Sequence, residues 1–231
     1  MILRERASPN HDTRNGPVSF LVLHYTGMKT AAEALDRLCD PAAEVSSHYL
    51  VEEDGTVWRL VDEARRAWHA GVSFWRGETA LNARSIGVEI VNPGHEHGYV
   101  PFPKPQMRAV TELCQGILAR HPIAGRDVVA HSDIAPDRKE DPGELFDWQG
   151  LAAQGVGLWP ADVSESGGGE PVVPAQVGEA LAAIGYRGDL PRAVLLRAFQ
   201  RHWCQAAVSG EADPATRARL AAVLAAMRAR P

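Results

Sequence analysis

A chain of 231 residues can form one large domain or a medium domain followed by a small one. Its composition, 45% hydrophobic and 23% charged, is typical of a globular protein with a buried core. The formal net charge of −5 argues against a nucleic-acid-binding protein, and no run reaches the roughly 18 apolar residues of a membrane span. Residues 1–170 are acidic overall and the remaining residues are basic overall, which indicates two units with different surfaces.

The cysteines and the first residues bear on the cellular compartment. Cys39, Cys114 and Cys204 are far apart and odd in number, so they predict no disulfide framework. The N-terminal segment carries Glu5 where a secretory signal peptide needs an apolar stretch. We therefore expect a cytoplasmic protein, with the periplasm as the alternative if a leader has been removed.

Strand and helix signals alternate over the first 160 residues. Thr30 and Glu33 have the spacing of a helix-capping box, and Asp54-Gly55 lies between two apolar runs, as in a β-hairpin. In chain order, we predict a strand at 20–24, a helix at 30–38, hairpin strands at 47–51 and 56–61, a strand at 85–91, a helix at 105–120 and a strand at 127–131. This alternation predicts an α/β fold with a central mixed β-sheet flanked by helices.

The composition changes after residue 160. Residues 161–173 contain a run rich in serine and glycine, which predicts a flexible linker. Three patterns of helical period follow, at 175–184, 191–203 and 214–228. We therefore predict three parts: a domain at 1–160, a linker at 161–173 and a small three-helix C-terminal domain at 174–231.

Two histidines and a carboxylate form the most informative pattern in the chain. His24 and His131 each end a predicted strand, and Asp141 follows on a loop with turn residues. Functional sites are commonly built at this edge of an α/β sheet. Two histidines and a carboxylate can hold a zinc ion and leave a fourth position for water, which would support hydrolysis. Spacing alone still favours structural roles for the two histidines.

Two further charged residues could act on a substrate at such a site. Lys139 lies two residues before Asp141, and its ammonium could stabilise the oxyanion that forms when a carbonyl is attacked. Glu89 interrupts an apolar strand, where a carboxylate is costly to bury unless it is used, and it could transfer protons. The alternatives are a solvated loop lysine and an exposed strand position.

Several short motifs follow one another between residues 18 and 160. In chain order they are VLHYT at 22–26, SSHYLV at 46–51, AWHAG at 67–71, Asn82, SIGVE at 85–89, AHSDIAP at 130–136 and RKEDPG at 138–143. In these motifs and their order, the region resembles the zinc-dependent N-acetylmuramoyl-L-alanine amidases of the AmpD/AmiD type. Because several separate motifs match in the right order, the resemblance is specific.

The resemblance implies a reaction and a set of roles. The matching positions imply zinc ligation by His24, His131 and Asp141, and catalytic roles for Glu89 and Lys139. The implied reaction is hydrolysis of the amide between N-acetylmuramic acid, including its 1,6-anhydro form, and the L-alanine of the stem peptide. The implied partners are peptidoglycan fragments (muropeptides) in cell-wall recycling, and the implied fold is a central sheet flanked by helices.

Four other residues are candidates for contacts with the glycan or the peptide. His69 is predicted to line the pocket rather than to be a fourth ligand, because catalytic zinc keeps one position open. Tyr25, Asn82 and Trp75 are the remaining candidates. The His-Glu-His run at 95–97 could chelate a metal, but its flanking turn residues favour a polar surface loop.

The C-terminal region resembles a three-helix peptidoglycan-binding module through AAIGY at 182–186 and AFQRHW at 198–203. Two other functions stay open for the whole chain. A non-catalytic peptidoglycan-recognition protein would keep the groove without turnover, and loss of a ligand would mark it, but all three candidate ligands are present. An exported or phage-like lytic amidase would share the chemistry and differ in the size of its substrate.

Overall fold

Residues 2–160 and 171–228 are the part of the chain that the computed structural model describes. Their strands are β1 (Ile2–Glu5), β2 (His11–Thr13), β3 (Phe20–Tyr25), β4 (Tyr49–Val51), β5 (Thr56–Arg59), β6 (Arg65–Ala67), β7 (Phe74–Trp75), β8 (Glu78–Thr79), β9 (Ser85–Ile90) and β10 (Val128–Ala130). Their α-helices are α1 (Ala31–Cys39), α2 (Gly94–His97), α3 (Lys104–Arg120), α4 (His131–Ile134), α5 (Trp148–Ala153), α6 (Val177–Ile184), α7 (Arg192–Trp203) and α8 (Pro214–Arg228). None of these helices is both long and apolar enough to cross a membrane.

Six strands form one mixed sheet in the order β1-β5-β4-β9-β3-β10. All neighbouring pairs are parallel except β4 and β5, which form the predicted antiparallel hairpin. The central strands β3 and β9 pair along their whole lengths, from Phe20 opposite Ser85 to Tyr25 opposite Ile90. This arrangement confirms the predicted α/β fold with a central mixed sheet and flanking helices.

The continuous apolar run of β3 is explained by burial on both of its faces. Leu21 and Leu23 pack in one core with side chains of α3, whereas Phe20 and Val22 pack in a second core with the C-terminal helices. Because alternate side chains of a strand point to opposite faces, each face of the sheet is covered by a different layer of helices. A central strand of this kind shows no alternation of polar and apolar residues.

The C-terminal helices α6, α7 and α8 share the second core with the sheet. Leu181, Leu195, Phe199 and Val223 are buried in the same cluster as Val129 of β10. The three predicted helices are present, and most of the predicted linker lies outside the described residues. The division of the chain into two domains stays a prediction.

One element boundary differs from its prediction in a way that matters for the site. The strand predicted to reach His131 ends at Ala130, and His131 instead begins the four-residue helix α4. The Asp133 carboxylate accepts a hydrogen bond from the Ala130 N–H at 2.9 Å, as side chains do at helix N-termini. Periodicity could not reveal this turn, because a helix of one turn is too short to show a period.

Candidate active site

The carboxyl ends of three neighbouring strands meet at one edge of the sheet. In the register of β3 and β9, His24 lies opposite Glu89. In the register of β3 and β10, Ala130 lies opposite Leu23, so His131 follows at the same edge. Parallel strands thus bring together His24, Glu89 and His131, which are far apart in the sequence.

The loop after α4 returns a carboxylate to this edge. The Ser132 N–H donates to the Asp141 carbonyl at 2.9 Å, which closes the loop beside His131. Asp141 Oδ2 lies 3.0 Å from the Nδ1 atoms of both His24 and His131, and these two nitrogens are 2.9 Å apart. All three side chains are buried. The structure therefore brings together the three predicted metal ligands in a cluster that could hold an ion.

A chain of hydrogen bonds behind His24 assigns its tautomer. The Ser85 hydroxyl donates to the Leu81 carbonyl at 2.6 Å, so Ser85 Oγ accepts from His69 Nε2 at 3.1 Å. His69 Nδ1 is then the acceptor for His24 Nε2 at 3.0 Å. Burial lowers the pKa of His69 well below its usual value and the pKa of His24 to about 4, so both rings are neutral at neutral pH. His24 Nδ1 therefore carries a lone pair and no hydrogen.

His131 also has a hydrogen-bond acceptor at its Nε2. Its Nε2 lies 3.3 Å from the Ala70 carbonyl, so the tautomer with its hydrogen on Nε2 donates to that carbonyl and presents a bare Nδ1 to the cluster. With both histidines in these tautomers, two nitrogen lone pairs and an Asp141 oxygen face one another within 3.0 Å. Acceptors that repel one another at this distance need a cation between them. Imidazole nitrogens and a carboxylate form a common zinc ligand set, so these residues fit the metal.

Glu89 combines burial with an unpaired oxygen. In the described part of the chain its Oε2 is buried and has no hydrogen-bond partner. Burial, and then the charge of Asp141, raises the pKa of Glu89 well above its usual value, and Lys139 opposes this rise. A carboxyl group that binds a proton readily is suited to general acid–base chemistry.

An open cavity of about 760 Å³ leads to these groups. Glu89, His131, Lys139 and Asp141 line this cavity, and residues of α1 and α2 line it as well. The positive charge of Lys139 contributes to the lowered pKa of His24. A cavity of this volume accepts a small-molecule substrate.

Two of the four predicted substrate contacts, Tyr25 and His69, line this cavity. The Tyr25 hydroxyl lies 3.0 Å from His95 Nδ1, and burial raises the pKa of Tyr25 to about 12, so the phenol stays protonated. His69 also hydrogen-bonds to His24, so its ring supports a predicted ligand as well as forming part of the wall. His95, predicted on a surface loop, is partly buried in α2 and lines the cavity too.

Asn82 and Trp75 lie behind the cavity and do not line it. Asn82 Oδ1 accepts from the backbone N–H groups of His69 at 3.0 Å and Ala70 at 2.7 Å, so Asn82 positions the loop that carries His69. Trp75 is 1% exposed and packs edge-on against Tyr186 of the C-terminal region. A side chain with so little accessible surface cannot contact a substrate, and we do not retain this prediction for Trp75.

Gly87 supports the site, although the motif that contains it predicts no role for this residue. A Cβ atom at this position would lie 2.4 Å from His69 Cγ, so only glycine leaves room for the His69 ring behind His24. The signal in the sequence is a glycine inside an apolar strand, which indicates the close approach of another group.

Comparison with known proteins extends the likeness over most of the chain. The family model described as N-acetylmuramoyl-L-alanine amidase, Amidase_2, matches residues 14–144. N-acetylmuramoyl-L-alanine amidase AmiD of Escherichia coli K12 is 40% identical over 230 residues, covering 90% of this chain and 82% of the relative. The 1,6-anhydro-N-acetylmuramyl-L-alanine amidase AmpD of Haemophilus influenzae is 32% identical over 166 residues, covering 63% of this chain and 88% of the relative.

Solved structures show the same likeness in three dimensions. The complex of E. coli AmiD with anhydro-N-acetylmuramic acid-L-Ala-D-gamma-Glu-L-Lys has a TM-score of 0.80 at 38% identity, covering 95% of this chain and 90% of that one. AmpDh3 from Pseudomonas aeruginosa has a TM-score of 0.77 at 34% identity, covering 96% of this chain and 94% of that one. The chain therefore belongs to the N-acetylmuramoyl-L-alanine amidases of the AmpD/AmiD type.

Proposed function

We propose that the chain hydrolyses the amide that joins N-acetylmuramic acid, including its 1,6-anhydro form, to the L-alanine of the stem peptide. The observation that carries this proposal is the set of three acceptors at the sheet edge, two histidine nitrogens and Asp141, with Glu89 on the neighbouring strand. Two relatives support it, since AmiD was solved with an anhydro-muramyl tripeptide and AmpDh3 with an anhydromuramic pentapeptide. Muropeptides are therefore the proposed substrates.

His24, His131 and Asp141 would hold a zinc ion through the two Nδ1 atoms and a carboxylate oxygen. When bound there, zinc supplies a Lewis acid that lowers the pKa of water toward about 7 and polarises a carbonyl group. The chain keeps the two imidazoles in the required tautomer, because His24 donates to His69 and His131 donates to the Ala70 carbonyl.

Glu89 transfers protons, and Lys139 stabilises the oxyanion. Glu89 takes a proton from the attacking water as the water oxygen bonds to the amide carbon. The Lys139 ammonium stabilises the negative charge that develops on the carbonyl oxygen. Glu89 then gives the proton to the amide nitrogen as the C–N bond breaks. The products are a sugar with a free lactyl carboxyl group and a stem peptide with a free L-alanine amine.

The position of Tyr25 and His69 on the cavity wall supports contacts between these side chains and the muropeptide. We place the activity in cytoplasmic recycling of cell-wall fragments, with the periplasm as the alternative compartment. The 1,6-anhydro specificity in the names of the AmpD relatives favours a released fragment over the intact wall as substrate.

The proposed reaction is tested by digesting two substrates side by side with the zinc-loaded chain. We expect soluble 1,6-anhydro-muropeptides to release a stem peptide with a free L-alanine amine, detected by chromatography and mass spectrometry. Release from neither substrate would overturn the amidase assignment and favour a non-catalytic recognition protein. Release from intact sacculi only would overturn the recycling role and favour a wall-lytic amidase.

The roles of Glu89 and Lys139 predict a loss of turnover without a loss of metal. Glu89→Gln and Lys139→Ala should each lower kcat by roughly 100-fold or more, because each removes a group that acts in the transition state. Zinc content, measured by atomic emission on the same samples, should stay at the wild-type value. Lys104→Ala, at the exposed start of α3, is the control for loss of a lysine charge. A loss of zinc from the Lys139 variant would show that its assigned role is wrong.

Because His69 packs against Gly87, we predict that zinc affinity depends on Gly87, although this residue has no side chain that could bind the metal. Gly87→Ala should push the His69 ring away from His24 and raise the dissociation constant for zinc by about tenfold or more. Competition with a chromogenic chelator measures this constant. Gly178→Ala is the matched control, because a Cβ at that helical position meets nothing within 4 Å. Wild-type affinity in Gly87→Ala would contradict the support of His24 by His69.

A further inference from the structure

The C-terminal helices contact the segment that carries most of the proposed machinery. Residues 131–146, named here the ligand segment, contain His131, Lys139 and Asp141. Within this segment Ile134 is fully buried in the same core as side chains of α6, α7 and α8. Of these helices, α7 packs directly on α4, whose first residue is His131.

Asp133 is the polar centre of this contact. It is 1% exposed and accepts hydrogen bonds from the Ala130 N–H at 2.9 Å, the Tyr186 hydroxyl at 2.5 Å and His202 Nδ1 at 2.6 Å. Two of these three donors come from the C-terminal region. Because a buried carboxylate is strongly unfavourable without such partners, Tyr186 and His202 determine whether Asp133 can stay in place.

Asp133 in turn fixes the start of α4. Its hydrogen bond to the backbone of Ala130 closes the turn from β10 into the helix, and His131 is one of the two residues enclosed by this turn. A change in the orientation of Asp133 therefore turns the backbone that carries His131. Donors from the C-terminal helices act on a proposed ligand through one intervening side chain.

The two donors are themselves held firmly. The His202 ring stacks between Trp148 of α5 and Trp203 of α7, with ring centroids 3.9 Å apart on each side. Tyr186 is 1% exposed and packs edge-on against Trp75, with centroids 5.0 Å apart. Rigid donors of this kind position the group that they contact.

The other end of the ligand segment is held in the same way. Arg201 of α7 forms an ion pair with Glu140, the residue before Asp141. Gln205, just after α7, donates from Nε2 to the Phe146 carbonyl at 2.6 Å. Contacts from one C-terminal helix thus fasten the segment on both sides of Lys139.

We propose that the C-terminal helices position the metal site, with Tyr186 and His202 as positioning residues that act through Asp133. This inference rests on the proposed function in taking His131 and Asp141 as metal ligands. It gives the C-terminal region a task within the active site, separate from any binding to the cell wall.

Combining Tyr186→Phe with His202→Phe tests the proposal, because it removes both donors and keeps two aromatic rings in the core. In the full-length, metal-free chain, amide hydrogen exchange of residues 131–141 should become about tenfold faster than in wild type. The dissociation constant for Zn²⁺ should rise roughly 10–100-fold, and Co²⁺ bound in its place should give an altered visible absorption spectrum. If the double variant does not fold, Tyr186→Phe alone gives the same comparison with a smaller change.

Two controls separate positioning from general stability. His202→Asn keeps a side-chain N–H near the position of Nδ1 but loses the stacked ring, so its exchange and zinc affinity should lie closer to wild type than those of His202→Phe. Val223→Ala removes buried packing from α8 in the same core but removes no donor to Asp133. It should lower the thermal midpoint of unfolding and leave exchange of residues 131–141 and zinc affinity unchanged.

Unchanged exchange and zinc affinity in the donor variants would overturn the positioning role, as would equal effects in Val223→Ala. The exchange measurement needs neither metal nor substrate, so its outcome is independent of the proposed reaction. A wild-type chain that cleaves no muropeptide while the exchange difference persists would refute the proposed function and support the positioning role.

Discussion

The proposed metal site depends on three groups, the Nδ1 atoms of His24 and His131 and an Asp141 oxygen, that are held within 3.0 Å of one another at the edge of the sheet. When each of them is an acceptor, they repel one another in the absence of a cation, so the surrounding structure has to hold them together. His69 accepts a hydrogen bond from His24 Nε2, and the Ala70 carbonyl accepts one from His131 Nε2. These two hydrogen bonds orient the histidines with Nδ1 toward the cluster. The closed loop after α4 holds Asp141 beside the two histidines. The cluster is therefore a property of the whole sheet edge and its supports.

Much of the fold could be predicted because its central elements are long and locally encoded. The apolar runs of β3 and β9, the capped helix α1 and the Asp54-Gly55 hairpin each carry a signal within a few residues. The one-turn helix α4 carries no periodic signal, and its start depends on a capping contact from Asp133. The core shared by the sheet and the C-terminal helices could not be predicted either. An apolar helix face indicates that the face is buried, but it does not identify the partner. Here the partner lies far away in the sequence.

The site shows the same limit at the level of single residues. Spacing alone leaves His24 and His131 as structural histidines, and the resemblance of several motifs to one family is what predicts their roles. Trp75 is the reverse case, a residue predicted to contact the substrate that is buried in the structure. Its local sequence does not reveal that Tyr186 covers it. Gly87 carries a usable signal, a glycine within an apolar strand, but the side chain it makes room for is visible only in three dimensions.

The central claim is that His24, His131 and Asp141 form a zinc site through two Nδ1 atoms and a carboxylate. Anomalous diffraction at the zinc absorption edge, on crystals of the zinc-loaded chain, tests this claim most directly. We expect one strong peak about 2.0–2.2 Å from each of these three atoms. A peak bonded through Nε2 of either histidine, a peak elsewhere in the cavity, or no peak at this cluster would contradict it.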